Sequence, residues 1–338
     1  MSILQLKIDF EEIFKEIEKS SAESILLQLP EGLKTKIIEI VKEFETRFPD
    51  KTFDSTIEPC FGACDSATDK SSQIKADLLV HFGHTAISES KKAVYFPLFY
   101  ETNKEEEKKI FEEIYTKLKN EELKTITVAA SVQYLKIMKT LIKQLEEKGI
   151  NVILSKGDNR VKEEAQVLGC NYSAIKKIAN CEAVLLISDA MFHALGLALS
   201  TKKRVIFFDV CEMKIRDIKK DKELFLRKRF SAIALAKESN TFGILLSTKK
   251  GQMRRALALE LKKELEVRGK KAFIFVADYI LPEYVLGIDV DCFVNTACPR
   301  IAIDDYSNWK KPIINPNELE IALGIKEWED YRMDEIGE

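Results

Sequence analysis

The stretch IEPCFGACDSATD, residues 57–69, sets Cys60 and Cys64 four apart in a loop of small residues, with Pro59 ahead and Gly62 between. Two thiols at that spacing serve a metal loop, a redox couple or a buried turn, and the pair alone does not choose. Five more cysteines follow, at positions 170, 181, 211, 292 and 298. Their intervals fit no two-knuckle zinc pattern, and an odd set of seven does not close as a disulfide framework. Cys181 precedes an apolar run, Cys211 follows one and Cys292 opens one, so these three read as core residues, where free cysteine is favoured. Cys64 reads as a residue packed beside Cys60 without ligating.

The elements that must position the others come in a plan stated three times. SILLQLPEG (24–32), KTITVAASV (124–132) and TFGILLSTKKGQ (241–252) are short apolar runs. Each precedes a helical stretch: LKTKIIEIVKEFETRFP, YLKIMKTLIKQLEEKG ending at Gly149, and MRRALALELKKELEVRG ending at Gly269. Later runs complete each unit: ADLLVHFGHT (76–85) and AVYFPLFY (93–100); NVILSKG, EAVLLISDAMFHALGLAL (182–199) and RVIFFDV (204–210); KAFIFVADY (271–279), DCFVNTACPR (291–300) and PIINP (312–316). Continuous apolar runs rich in Val, Ile and Phe are what parallel strands covered on both faces look like. The expected fold is therefore α/β, with three similar small domains in a pseudo-threefold arrangement, each a short mostly parallel sheet flanked by helices. The expected boundaries are residues 1–105, 106–212 and 213–338, with Cys60, Cys170 and Cys298 falling one in each. The charged stretches over 101–122 and 213–239 read as solvated connector helices.

Bulk properties narrow the function classes. The chain has 338 residues, enough for two or three cores. Its formal net charge of −2, from 53 basic and 55 acidic residues, gives no global drive toward nucleic acid or an anionic membrane. The segment MSILQLKIDFEEIFKEIEKS reads as an amphipathic helix without signal-peptide features, and no run of 18 apolar residues could span a bilayer. A cytoplasmic protein with reduced thiols is expected.

Cys60 and Cys170 both fall in the connection ahead of their unit's third strand, and Cys298 lies at the C-terminal end of its unit's third strand. Open parallel sheets bind ligands beyond the carboxyl ends of their strands, so three such ends could gather one thiolate from each unit. Structural zinc takes four ligands, whereas a 4Fe–4S cluster held by three thiolates leaves one iron open to substrate. The short CxxxCxxC loop of ordinary radical S-adenosylmethionine enzymes is absent, since position 67 is Ala.

The segments EPCFGACD, VLGCN, STKKGQ and VNTACPRIAIDD closely resemble the archaeal diphthamide synthase family that performs the first step of diphthamide formation, and the likeness runs through essentially the whole chain. The resemblance implies a homodimer of three-domain subunits and a 4Fe–4S cluster on Cys60, Cys170 and Cys298. It implies that S-adenosylmethionine is the cosubstrate, cleaved between sulfur and Cγ to a 3-amino-3-carboxypropyl radical that adds to imidazole C2 of a histidine in translation elongation factor 2. An electron donor is implied as a further partner, with no direct role for nucleic acid or membrane.

Candidate contacts to S-adenosylmethionine are Arg300, for the methionine carboxylate, and Gln252, at a strand-to-helix turn. Gln28 and Glu31 in the matching turn of the first unit, and His84 at a strand end, complete the set; Asp189 and His193 are weaker candidates. Two other readings stand beside this one: a zinc protein using Cys60, Cys64 and another ligand, or a metal-free α/β ligand-binding protein.

Overall fold

The computed structural model describes residues 5–88 and 90–337. The chain opens with β1 (Gln5–Lys7) and α1 (Phe10–Lys19). The expected amphipathic helix thus begins only at Phe10. The Asp9 side chain accepts the Glu12 N–H and caps it there, while Gln5–Lys7 form a strand instead; residues 1–4 lie outside the described residues.

Next come β2 (Ser24–Gln28), α2 (Ile37–Arg47), β3 (Thr52–Ser55), α3 (Thr68–Gln73), β4 (Leu78–Phe82) and β5 (Ala93–Phe96). They form a parallel sheet in the order β3-β2-β4-β5. Every residue of β4 is buried, as a central parallel strand requires. Helices α1 and α2 cover one face through Phe14 and Phe44, whose rings meet edge-on at 5.2 Å, and Phe44 reaches Phe82 at 6.1 Å. Then β6 (Phe99–Glu101) pairs antiparallel with β1, and α4 (Lys104–Asn120) starts in an Asn103–Glu106 capping box.

The second segment contains β7 (Thr125–Ala130), α5 (Leu135–Glu147), β8 (Asn151–Ile153), α6 (Ser173–Lys176) and β9 (Ala183–Ser188). It continues with α7 (Met191–Ser200), β10 (Arg204–Asp209), β11 (Lys214–Arg216) and α8 (Lys219–Glu238). The run over 182–199, expected as one strand, divides into β9 and α7. Ser188 and Asp189 interrupt the apolar run there, and the stretch that follows, MFHALGLALS (191–200), consists largely of good helix formers. Helix α8 is not a merely solvated connector, because Phe225, Arg229, Ala232, Ile233 and Ala236 on it are buried.

The third segment contains β12 (Thr241–Ser247), α9 (Arg255–Val267), β13 (Lys271–Ala277) and β14 (Cys292–Asn295). It ends with α10 (Arg300–Ile303), β15 (Ile313–Ile314) and α11 (Pro316–Ala322). Its sheet runs β13-β12-β14-β15, all parallel. In each segment the second strand flanks the first, and the third lies on the other side: β3-β2-β4, β8-β7-β9, β13-β12-β14. Gly149 and Gly269 end α5 and α9 at φ +80° and +74°, the left-handed geometry expected of such caps.

The fold is thus α/β, with several mostly parallel sheets flanked by helices. Two compact units result: Met1–Val167 with Ser173–Asp189 and Phe208–Ile215, and Leu168–Tyr172 with Ala190–Phe207 and Arg216–Glu338. Of the cysteines read as core, Cys292 is fully buried and burial pushes its thiol up, while Cys181 is only partly covered. Cys211 is exposed, because β10 ends at Asp209 and the chain turns there, the Cys211 N–H donating to the Asp209 carboxylate.

Candidate functional site

In the first unit the carboxyl ends of β2 and β4 place Gln28 beside His81, its partner in the strand register. The buried Gln28 amide has one orientation available. Its Nε2 donates to the Asp65 carbonyl at 2.8 Å, and its Oε1 accepts the Ala67 N–H at 2.8 Å. The same Oε1 lies 2.8 Å from His81 Nδ1, so that nitrogen carries a proton. His81 Nε2 then faces His84 Nδ1 at 3.0 Å. Gly83, between the histidines at φ +90°, lets the chain fold back. A side chain there would be strained in φ and would press on Pro30 Cγ at 3.0 Å.

Cys60 is fully buried, and its sulfur and one nitrogen from each of the two histidines lie within 4.8 Å of one another. Its backbone is clamped twice by Glu31: the Cys60 N–H donates to Glu31 Oε1 at 3.0 Å and the Glu31 N–H to the Cys60 carbonyl at 3.2 Å. Lys34, 2.5 Å from that carboxylate, holds Glu31 below the usual carboxylate range. The Phe61 N–H is taken by Asp65 Oδ2 at 2.9 Å. Cys64 packs against Gly62, where a Cβ would stand 3.3 Å from its sulfur. The turn residues Gln28 and Glu31 thus support His81 and Cys60 directly.

Burial brings the His81 imidazole down to about 3, helped by His84, and brings His84 down to about 4 against the opposing pull of Asp65 and two backbone carbonyls. Both rings are therefore neutral in the fold at pH 7 and able to offer a lone pair. In the unfolded chain they titrate near their ordinary value of about 6.5. Because the folded values are depressed, the unfolded state binds protons first as pH falls, and stability declines from about 6.5 toward about 3. Urea unfolding of metal-free chain at pH 7.5, 6 and 5 should show a midpoint that drops with pH. In the His81→Gln/His84→Gln variant the drop should be shallower.

In the second unit a different set of side chains holds Cys298. The Cys298 N–H donates to Gln252 Oε1 at 3.3 Å, and its carbonyl accepts Asn295 Nδ2 at 2.9 Å. Arg254 fixes the preceding turn, with Nε 2.8 Å from the Thr296 carbonyl and Nη2 3.1 Å from that of Ala297. The buried Asp334 carboxylate anchors this guanidinium at 2.6 Å. Helix α9 begins at Arg255, so Gln252 stands in the turn before the helix and not at its start.

Cys170 occupies a tight turn in which Leu168 and Asn171 exchange both backbone hydrogen bonds. The C-terminal segment straps it: the Ile336 N–H donates to the Cys170 carbonyl at 2.8 Å, and the Tyr172 N–H to Glu335 Oε2 at 3.1 Å. The neighbouring Gly169 is packed so closely on Phe192 that a Cβ would fall 2.8 Å from that ring. Arg300, two residues after Cys298, lies 5.0 Å over the same ring and pairs with Asp304 at 2.6 Å. Phe192 therefore bridges the segments that carry Cys170 and Cys298. Burial works against the Arg300 charge, but Asp304 outweighs it and raises the pKa.

Asp189 lies near the Tyr134 hydroxyl, and His193 lies beside Gly169. The sequence reading passed over His81, Phe192, Tyr172 and the Arg254–Asp334 pair. Only His81 left a local trace, in the two histidines of HFGH. Tyr172 is fully buried against α7, with no room for a Cβ at Gly196 beside its hydroxyl. Gly196→Ala should cost about 1–3 kcal/mol as an overpacked core position, read as a lower urea midpoint at unchanged slope.

With this geometry in view, a family model for diphthamide synthesis proteins matches residues 29–332. The chain belongs to that family. A relative from Pyrococcus horikoshii named 2-(3-amino-3-carboxypropyl)histidine synthase is 34% identical over 96% of this chain and 92% of its own length. One of the same name from Methanocaldococcus jannaschii is 30% identical over 98% and 93%. The crystal structure of Dph2 from Pyrococcus horikoshii with a 4Fe–4S cluster superposes with a TM-score of 0.89 at 33% identity, covering 99% of this chain and 95% of that one.

Proposed function

We propose that this family member is a 2-(3-amino-3-carboxypropyl)histidine synthase. It transfers the 3-amino-3-carboxypropyl group of S-adenosylmethionine to imidazole C2 of a histidine in translation elongation factor 2. The observation that carries this reading is the near-full-length likeness, in sequence and in fold, to relatives of that name.

Cys60, Cys170 and Cys298 are the proposed thiolate ligands of a 4Fe–4S cluster. The donor set suits it. Thiolates are the ligands such clusters take, and each of the three backbones is tied down by bonds to its carbonyl or N–H. When bound, the cluster supplies the electron that splits the bond between sulfur and Cγ. The chain's own part is to aim and to shield. Glu31, Gln252 and Asn295 fix the ligand backbones, and the fully buried Cys60 sulfur is kept from water. Arg300 is the proposed partner of the methionine carboxylate, reached from its place over Phe192, with Gln252, Gln28, Glu31 and His84 as further contacts. Finer parts of the reading are a homodimer, a cytoplasmic location, a separate electron donor and a radical course. Three domains over 1–105, 106–212 and 213–338 complete it, supported by the strand order the three segments share.

The Cys60–His81–His84 group, with Cys60 and His81 buried and His84 partly so, favours one second reading, a bound zinc ion, since sulfur and imidazole are its usual ligands. A single experiment separates the two. Anaerobically reconstituted protein is mixed with dithionite, elongation factor 2 and S-adenosylmethionine labelled in the carboxypropyl carbons. Brown protein and label on the factor are the expected outcome; colourless protein that retains zinc and transfers nothing overturns the proposal.

A further inference from the structure

Residues 333–336, Met-Asp-Glu-Ile, belong to no helix or strand, and yet Met333, Asp334 and Ile336 are buried. Irregular segments ordinarily run over the surface, because a buried one must find partners for its backbone groups outside any ladder. Here the partners are the two turns of the second unit that carry Cys170 and Cys298.

Each residue of the segment is tied in turn. Met333 packs with Phe192 in one apolar cluster, and its carbonyl accepts Asn317 Nδ2 at 3.3 Å. Asp334 takes the Arg254 guanidinium on both oxygens, at 2.6 and 3.1 Å. The same guanidinium donates to the Thr296 and Ala297 carbonyls, immediately before Cys298. Glu335 accepts the Tyr172 N–H, two residues after Cys170. Ile336 donates its N–H to the Cys170 carbonyl and accepts Asn171 Nδ2 on its own carbonyl at 3.2 Å. Of two consecutive carboxylates, one therefore reaches the Cys298 turn through a single arginine, and the other reaches the Cys170 turn directly. A carboxylate as buried as Asp334 is costly unless paired, and filling space alone would be better served by an apolar side chain.

We propose that residues 333–336 form a positioning strap for the proposed cluster, with Asp334 and Glu335 as positioning residues that hold the Cys298 and Cys170 turns in one fixed arrangement. The inference rests on the cluster reading given above and adds residues to it that act through the backbone of the ligand turns. A cluster needs its thiolates in place together. Bonds within either turn fix that turn alone and leave the placement of one against the other free. Four consecutive residues bonded to both turns remove that freedom, as groups behind a metal ligand do when they orient it.

The test uses the full-length chain as Glu335→Ala, Glu335→Gln and Asp334→Asn. In the metal-free protein, alkylation of each cysteine by iodoacetamide is followed by mass spectrometry. Cys170 should react about tenfold faster in Glu335→Ala, the equivalent of one lost hydrogen bond to a charged group. In Glu335→Gln it should react at the wild-type rate, because the amide oxygen still accepts the Tyr172 N–H. Asp334→Asn should speed Cys298 by a similar factor. Cys181 and Cys211 lie in the other unit and should keep their rates. After anaerobic reconstitution, Glu335→Ala and Asp334→Asn should lose iron to a chelator at least about tenfold faster than wild type, and Glu335→Gln should not. A segment that only stabilises the fold would lower the urea midpoint and leave alkylation and iron loss as in wild type; either rate unchanged overturns the proposal. Should Asp334→Asn misfold by circular dichroism, the two Glu335 variants decide. A wild type that takes up no iron overturns the cluster reading instead, and the alkylation rates still decide whether the strap holds the two turns.

Discussion

Cys298→Ala should purify without iron after anaerobic reconstitution and lose carboxypropyl transfer by more than about 100-fold, since changes merely behind a metal ligand already cost about 10–100-fold. The variant should nonetheless fold. Cys298 is only partly buried, and the bonds that hold its segment run through its backbone: N–H to Gln252 and carbonyl from Asn295. Alanine keeps both. Two readouts check the expectation: iron per chain with the visible spectrum, and the urea midpoint. Iron retained at the wild-type level would remove Cys298 from the ligand set. Iron lost together with a fall in unfolding free energy above about 3 kcal/mol, as for a core deletion, would mark it as structural. Cys292→Ala is the control. That sulfur is buried in the third sheet's core, so the variant should lose stability and keep iron.

Arg229→Ala should destabilise the second unit by about 3–5 kcal/mol, the cost of leaving one partner of a buried ion pair alone. The guanidinium is 1% exposed and meets the Glu318 carboxylate with two parallel bonds of 2.6 Å. It also donates to the Ala302 carbonyl at 2.5 Å and the Ile313 carbonyl at 2.9 Å. One side chain of α8 thereby ties together α10, β15 and α11. Burial works against its charge, and Glu318 more than offsets that. Glu318 does double duty, since its other contacts are the Asn315 N–H of the α11 capping box and the Tyr331 hydroxyl. Lysine at 229 should not rescue, because an ammonium cannot reproduce the planar fork. The double change Arg229→Met/Glu318→Leu should cost less than Arg229→Ala, since no charge is then stranded. Urea midpoints of the three variants give the ordering.

Much of the fold was legible in the chain. Parallel strands buried on both faces must be written as unbroken apolar runs, and the crossover helices between them must carry a 3.6-residue stripe with a glycine at the end. SILLQ, TITVAA and TFGILLS could hardly be read otherwise, and Gly149 and Gly269 end their helices as expected. Legibility failed where period or burial is uninformative. The apolar stretches on either side of Ser188–Asp189 look the same as strand or helix, and α8 hid a buried arginine among charges that look solvated.

By itself the sequence determined the α/β class and singled out Cys60, Cys170 and Cys298 as the cysteines that recur with the repeat, through local patterns of a few residues that backbone geometry enforces. Only the tertiary structure decided what surrounds them. His81 meets Gln28 because β2 and β4 are neighbours in register, across 53 residues of chain, and Cys60 reaches the same place from a loop. Phe192 carries Arg300, and Glu318 takes Arg229, across intervals at which no sequence period operates. Hydrogen bonds and ion pairs of that kind depend on distances that exist only once the strands have packed, and so leave no mark on the order of the residues.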